Sequence, residues 1–130
     1  MATVEITREN FEEIVTKNEM VIIDFWAAWC GPCKGFAPVV EAASEKHGGI
    51  VFAKVDADAQ QELAASFNVR SIPFLMLLRE NVVLFAQAGA LPAEALDNII
   101  SQARALDMEQ IRKEIAEQEQ QQQQNQQQQQ

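Results

Sequence analysis

Apolar side chains follow one another almost without break from Met20 to Ala27, interrupted by Asp24. Such a run predicts a central strand buried on both faces. The segments around it have other periods. Phe11, Ile14 and Val15 fall at i, i+3 and i+4, which predicts a helix from about Arg8 to Asn18, with Thr7 placed to cap it. Ala2 to Ile6 alternates weakly and reads as a short first strand. A second helix is expected from about Pro32, a residue suited to a first helical turn, to Lys46. Pro38 should kink it, and His47-Gly48-Gly49 ends it. Ile50 to Val55 reads as a strand, Gln60 to Phe67 as a short helix, and Phe74 to Arg79 and Val82 to Gln87 as two strands. The link Glu80-Asn81 makes these two a hairpin, although Asn81 lacks the glycine that usually follows it in such turns. Leu91-Pro92 opens a last helix with Leu96, Ile99, Ile100 and Ala103 on one face.

The order is β-α-β-α-β-α-β-β-α. Alternating strands and helices pair in parallel, and the closing hairpin adds antiparallel strands, so the expected fold is an α/β one: a central mixed β-sheet flanked by helices. Past Leu106 the pattern changes. Met108, Ile111 and Ile115 step by three and four, and Glu109 and Lys113 form an i, i+4 pair. Residues 107–117 therefore read as an amphipathic extension with nothing assigned to cover it. Residues 118–130 are nearly all glutamine, a low-complexity tail. Residues 1–106 are left as one folding domain of ordinary size.

Charge narrows the partners. The formal net charge of −9 argues against nucleic acid and against anionic membrane surfaces. The N-terminus lacks the basic-then-apolar order of a secretory signal, and the longest apolar run is too short to span a bilayer. A soluble, cytoplasmic protein is the expectation.

The chain has two cysteines, both in Cys30-Gly31-Pro32-Cys33. A bridge over two intervening residues closes almost no loop and contributes little stability, so the pair is better placed to react than to staple. Disulfide exchange needs a thiolate to attack and a second thiol to resolve the mixed disulfide. At a helix start the free N–H groups and the dipole favour negative charge on the first cysteine. Cys30 is therefore expected to be the exposed nucleophile and Cys33 the shielded resolving thiol. Two other readings remain: half of a zinc site, for which the single histidine, His47, is too little without a second chain, and an inert buried pair.

Trp29-Cys30-Gly31-Pro32-Cys33-Lys34 resembles the active-site motif of the thioredoxin family. Val21 to Ala28 is similar to the strand before it in bacterial members, and Val69-Arg70-Ser71-Ile72-Pro73 to the family's second signature. The resemblance runs from about Val4 to Ala105. It implies the thioredoxin fold and a protein-disulfide reductase that works without a bound cofactor or metal, acts on disulfide-containing proteins, and is recharged by a thioredoxin-reductase-type electron donor. It also implies roles. Pro73 follows a cis bond and, with Ile72, holds an incoming chain beside the reactive sulfur. Asp24 lies behind Cys33 and moves its proton, with Lys54 as its neighbour. Trp29 offers substrates a flat apolar contact, and Gly89 permits close approach. Gly31 and Pro32 put no polar group between the cysteines, unlike the histidine of oxidising relatives, which favours donation of electrons. Simpler readings stand beside these: Asp24 as a structural buried polar group, Lys54 as a surface lysine, Gly89 as a turn glycine.

Three departures from the family pattern stand out. Phe74 replaces the usual threonine after Pro73 and either crowds the substrate groove or packs inward. Asn81 stands where a glycine often turns the hairpin, and Gly35 weakens the second helix by up to about 1 kcal/mol. The long C-terminal extension motivates an alternative function, a thioredoxin-fold interaction or chaperone module. An oxidase or isomerase would share the fold with the electron flow reversed.

Overall fold

The computed structural model describes residues 3–128. Ala2, where the first strand is expected to begin, lies outside them, as do Met1 and the last two glutamines. Five strands form one sheet in the order β1-β3-β2-β4-β5. β1 (Thr3–Glu5), β3 (Ile50–Asp56) and β2 (Met20–Trp26) run parallel, β4 (Phe74–Arg79) is antiparallel to β2, and β5 (Val82–Ala88) is antiparallel to β4. The helices are α1 (Phe11–Lys17), α2 (Gly31–Lys46), α3 (Gln61–Ser66), α4 (Ala93–Ala105) and α5 (Met108–Gln128). None of them is long and apolar enough to cross a membrane.

β2 is central, and its alternation sorts two cores. Val21, Ile23 and Phe25 face the layer holding Ile6, Val15, Leu63 and Met76. Met20 and Ile22 face the layer holding Phe36, Val40, Leu75, Leu96 and Ile100, under α2 and α4. With period 2, Asp24 falls on the α2 side. Antiparallel register sets Phe74 beside Phe25 and Arg79 beside Met20. Pro73 thus arrives at the sheet end where β2 delivers the cysteines, and the hairpin turn lies at the other end.

Local details differ from the expected ones. α1 starts at Phe11 rather than Arg8, and Thr7 does not cap it. The Thr7 N–H donates to Asn10 Oδ1 at 2.7 Å, and Asn10 Nδ2 donates to the Glu5 carbonyl at 3.0 Å. This turn consumes the residues that would have begun the helix. Glu80 and Asn81 both adopt left-handed backbone, with φ of 51° and 64°, so the two-residue turn forms without glycine. Met108 is not uncovered: it is 5% exposed. Arg79 Nη1 donates to the carbonyls of Ala103 and Leu106 at 2.9 and 2.8 Å, tying the end of α4 to the sheet. On α5 the ion pair within reach is Arg112 with Glu80, rather than Glu109 with Lys113.

Candidate active site

Cys30 is the N-cap of α2 and Pro32 lies in its first turn. The helix cannot start earlier because Cys30 has extended backbone, and its N–H is taken by the Ala27 carbonyl at 3.2 Å. Cys30 and Cys33 are disulfide-bonded, with Cα atoms 5.3 Å apart. The Cys33 N–H donates to Cys30 Sγ at 3.2 Å, a contact that strengthens when the sulfur carries charge.

Exposure does not separate the two sulfurs as expected: both cysteines are 3% exposed. In the disulfide, Cys30 turns inward to its partner and lies under Ile72, which packs with Trp26 on the cysteine pair. Position separates them instead. Cys30 Sγ is 3.7 Å from the Ile72 carbonyl oxygen, while Cys33 lines a separate cleft of about 280 Å³ with Trp26, Ala28, Lys34 and Lys54. Gly31 and Pro32 are exposed between them.

The Ile72–Pro73 peptide is cis and Pro73 is buried. The Pro73 carbonyl accepts the Gly89 N–H at 2.7 Å. Gly89 has φ of +106°, and a Cβ there would meet nothing within 4 Å. Glycine adopts this backbone without strain, and the space beside it is open. Phe74 packs inward against the Phe25 core and does not crowd the groove.

Asp24 is 1% exposed, and neither carboxylate oxygen has a hydrogen-bond partner in the protein. Burial pushes its carboxyl up to about 6, against a smaller downward pull from the Lys54 charge. Lys54 is the register neighbour of Asp24 on β3, and its Nζ lies 5.1 Å from the centre of the Trp26 ring. The sheet thus brings Asp24, Lys54 and Trp26 to one face under α2. Among the described residues no group of three or more His, Cys, Asp or Glu side chains gathers as a metal site would require.

Trp29 is 70% exposed, and its Nε1 donates to Asp58 Oδ2 at 3.0 Å. Together they flank a groove of about 490 Å³ that continues past Ala65, Val69 and Arg70 to Ile72. Sequence reasoning missed Asp58. The one signal was Asp56-Ala57-Asp58 at a strand end, where Asp56 Oδ1 accepts the Asp58 N–H at 3.0 Å, and nothing in that pattern says which ring lies opposite. Asp58→Ala is expected to shift the Trp29 indole N–H resonance clearly while costing about 1 kcal/mol of stability or less. An unmoved resonance would remove this contact from the solution structure.

Comparison with known proteins agrees with this geometry. The thioredoxin family model matches residues 2–102. A putative thioredoxin 2 from Streptomyces coelicolor is 58% identical over 118 residues, covering 91% of this chain and 88% of its own. The thioredoxin of Bacillus subtilis is 39% identical over 103 residues, covering 78% and 98%. Among solved structures, a thioredoxin from Halobacterium salinarum superposes with a TM-score of 0.75 at 30% identity, covering 81% of this chain and 93% of that one. Fold and cysteine pair together define a thiol–disulfide oxidoreductase that reduces protein disulfides. The chain belongs to the thioredoxin family.

Proposed function

We propose that Cys30 attacks substrate disulfides and Cys33 resolves the mixed disulfide, with Asp24 as the proton acceptor behind Cys33. The observation that carries this reading is the asymmetry of the sulfurs: Cys30 Sγ faces the Ile72 carbonyl, and Cys33 faces the cleft on the side of Lys54 and Trp26. The Cys30 thiolate bonds to one substrate sulfur and the other leaves as a thiolate that takes up a proton. The Cys33 thiol gives its proton to Asp24, and its sulfur then attacks Cys30 Sγ. The bond to the substrate breaks, and its second sulfur departs with the electron pair. Two electrons have moved, the substrate is a dithiol, and Cys30–Cys33 is a disulfide. A thioredoxin-reductase-type donor returns two electrons and restores the dithiol. Trp29, Gly31, Pro32, Ile72 and Pro73 form the face on which the substrate chain lies, and Gly89 holds the Pro73 carbonyl. Lys54 moderates the Asp24 charge.

The same reading places the protein in a reducing cytoplasm, where a dithiol of this kind stays charged. It assigns the redox work to residues 1–106 and none to residues 107–117 or the glutamine tail 118–130.

Trapping tests the order of attack. Cys33→Ser is expected to accumulate a mixed disulfide between Cys30 and a protein substrate, visible on a non-reducing gel and released by dithiothreitol. Capture by Cys30→Ser through Cys33 instead would reverse the assignment. Capture by neither would favour the interaction module.

A further inference from the structure

The loop that carries Ile72 and Pro73 has no helix or strand of its own: it spans residues 68–73, between α3 and β4. The residues at its two borders are both phenylalanines. Phe67 is the C-cap of α3 and Phe74 the first residue of β4. Both rings rest on the fully buried Phe25, at 6.3 and 5.9 Å between centroids, the second edge-on at 80°. Phe67 is braced from behind by Phe11 at 5.2 Å. One ring of the central strand therefore holds both ends of the loop.

We propose that Phe25, Phe67 and Phe74 form an aromatic clamp, with Phe74 as a positioning residue that presets the Ile72–Pro73 backbone for substrate docking. The proposal rests on the docking role given above to Ile72 and Pro73. Within the loop the restraints are few. The Val69 N–H donates to the Ala64 carbonyl at 3.0 Å, and the Pro73 carbonyl accepts from Gly89 at 2.7 Å. Asn68 sits in left-handed backbone with φ of 61°. Arg70 bonds within the loop to Asn68 Oδ1 at 3.2 Å, and Ile72 packs on the Phe25 core as well as on the cysteine pair. The rings at the loop ends therefore set the course of the backbone between these anchors, while Ile72 presents its carbonyl beside Cys30 Sγ. A loop already held in the bound shape loses less freedom when a chain docks on it, so the clamp acts on substrate affinity. None of the three rings belongs to the apolar cluster around the sulfurs, which is Ala27, Cys30 and Cys33 with Trp26 and Ile72. The rings therefore act on the loop and not directly on the sulfurs.

Phe74→Leu and Phe67→Leu loosen opposite ends of the loop while keeping apolar volume. Each is expected to raise KM for a protein disulfide such as insulin by about threefold to tenfold, with a much smaller effect on kcat. Amide exchange should accelerate at Asn68 and Val69, whose N–H groups are hydrogen-bonded to the end of α3, ahead of the rest of the chain. Val40→Ala, a truncation in the opposite core layer, is the control and should leave KM and loop exchange as they are. The clamp is refuted if loop exchange stays put in both leucine variants, if Val40→Ala speeds it or raises KM equally, or if exchange rises throughout the protein. The exchange measurement needs no turnover, so failure of the docking assignment (faster loop exchange at constant KM) is distinguishable from failure of the clamp itself.

Discussion

Cys30→Ser is expected to lower disulfide-reductase turnover by roughly three orders of magnitude or more, the scale on which loss of a covalent nucleophile is felt. A serine hydroxyl is a poor nucleophile at neutral pH and forms no exchangeable bond to sulfur. The loss should be chemical and not structural. The bridge closes a loop of two intervening residues and so contributes little stability, and the N-cap position that Cys30 occupies is one that serine fills well. Far-UV circular dichroism should therefore match the parent while insulin reduction disappears. Turnover above about one per cent of the parent in a properly folded variant would mean that Cys33 attacks on its own, and would end the division of labour between the two sulfurs.

The parts of this molecule that depend on local pattern were legible in the chain. The unbroken apolar run of β2 marked a strand buried on both faces, and it lies at the centre of the sheet with both cores against it. Cys30-Gly31-Pro32-Cys33 marked a helix start, and α2 begins at Gly31. Asp24 stood out as a carboxylate within that apolar run and is buried without a partner. What stayed hidden was set by contacts between distant segments. The cover over Cys30 comes in part from Ile72, forty-two residues away. The pairing of Trp29 with Asp58 crosses twenty-nine residues. The inward packing of Phe74 was one of two open readings until antiparallel register put it beside Phe25. Thr7 failed as a cap because Asn10, three residues on, offered its side chain to the backbone first, and such local competition has no hydrophobic period to betray it. The cover over Met108 comes from the tertiary fold, which the amphipathic spacing of that segment could not supply.

Asp24→Asn should make the oxidised protein more stable than the parent at pH 8 by about 3 kcal/mol, and leave stability at about pH 3, below both carboxyl values, unchanged. The carboxyl titrates at about 6 in the folded state against an ordinary value of 3.8. Below the lower value both states hold the proton and nothing distinguishes them. Between the two, the unfolded chain has released its proton and the folded protein keeps it, so each rise in pH favours unfolding. Above the upper value the folded protein carries a buried charge that Lys54 only partly offsets, and the loss levels off. Asparagine keeps the shape and the unbonded polar group of the neutral acid and removes only the charge. Its stability should be flat where the parent's falls, and urea unfolding at several pH values from about 3 to about 8 reads the difference directly. The cost should appear in the redox cycle. Without a base behind Cys33, resolution of the mixed disulfide is expected to slow on the order of a hundredfold, with the first attack by Cys30 little affected. Equal stability of variant and parent at pH 8 would mean that the carboxylate is better solvated than its burial implies. A more stable variant with undiminished turnover would leave Asp24 a structural burden with no proton to move. Both effects together would show that the chain keeps a destabilising charge under α2 because the resolving thiol uses it.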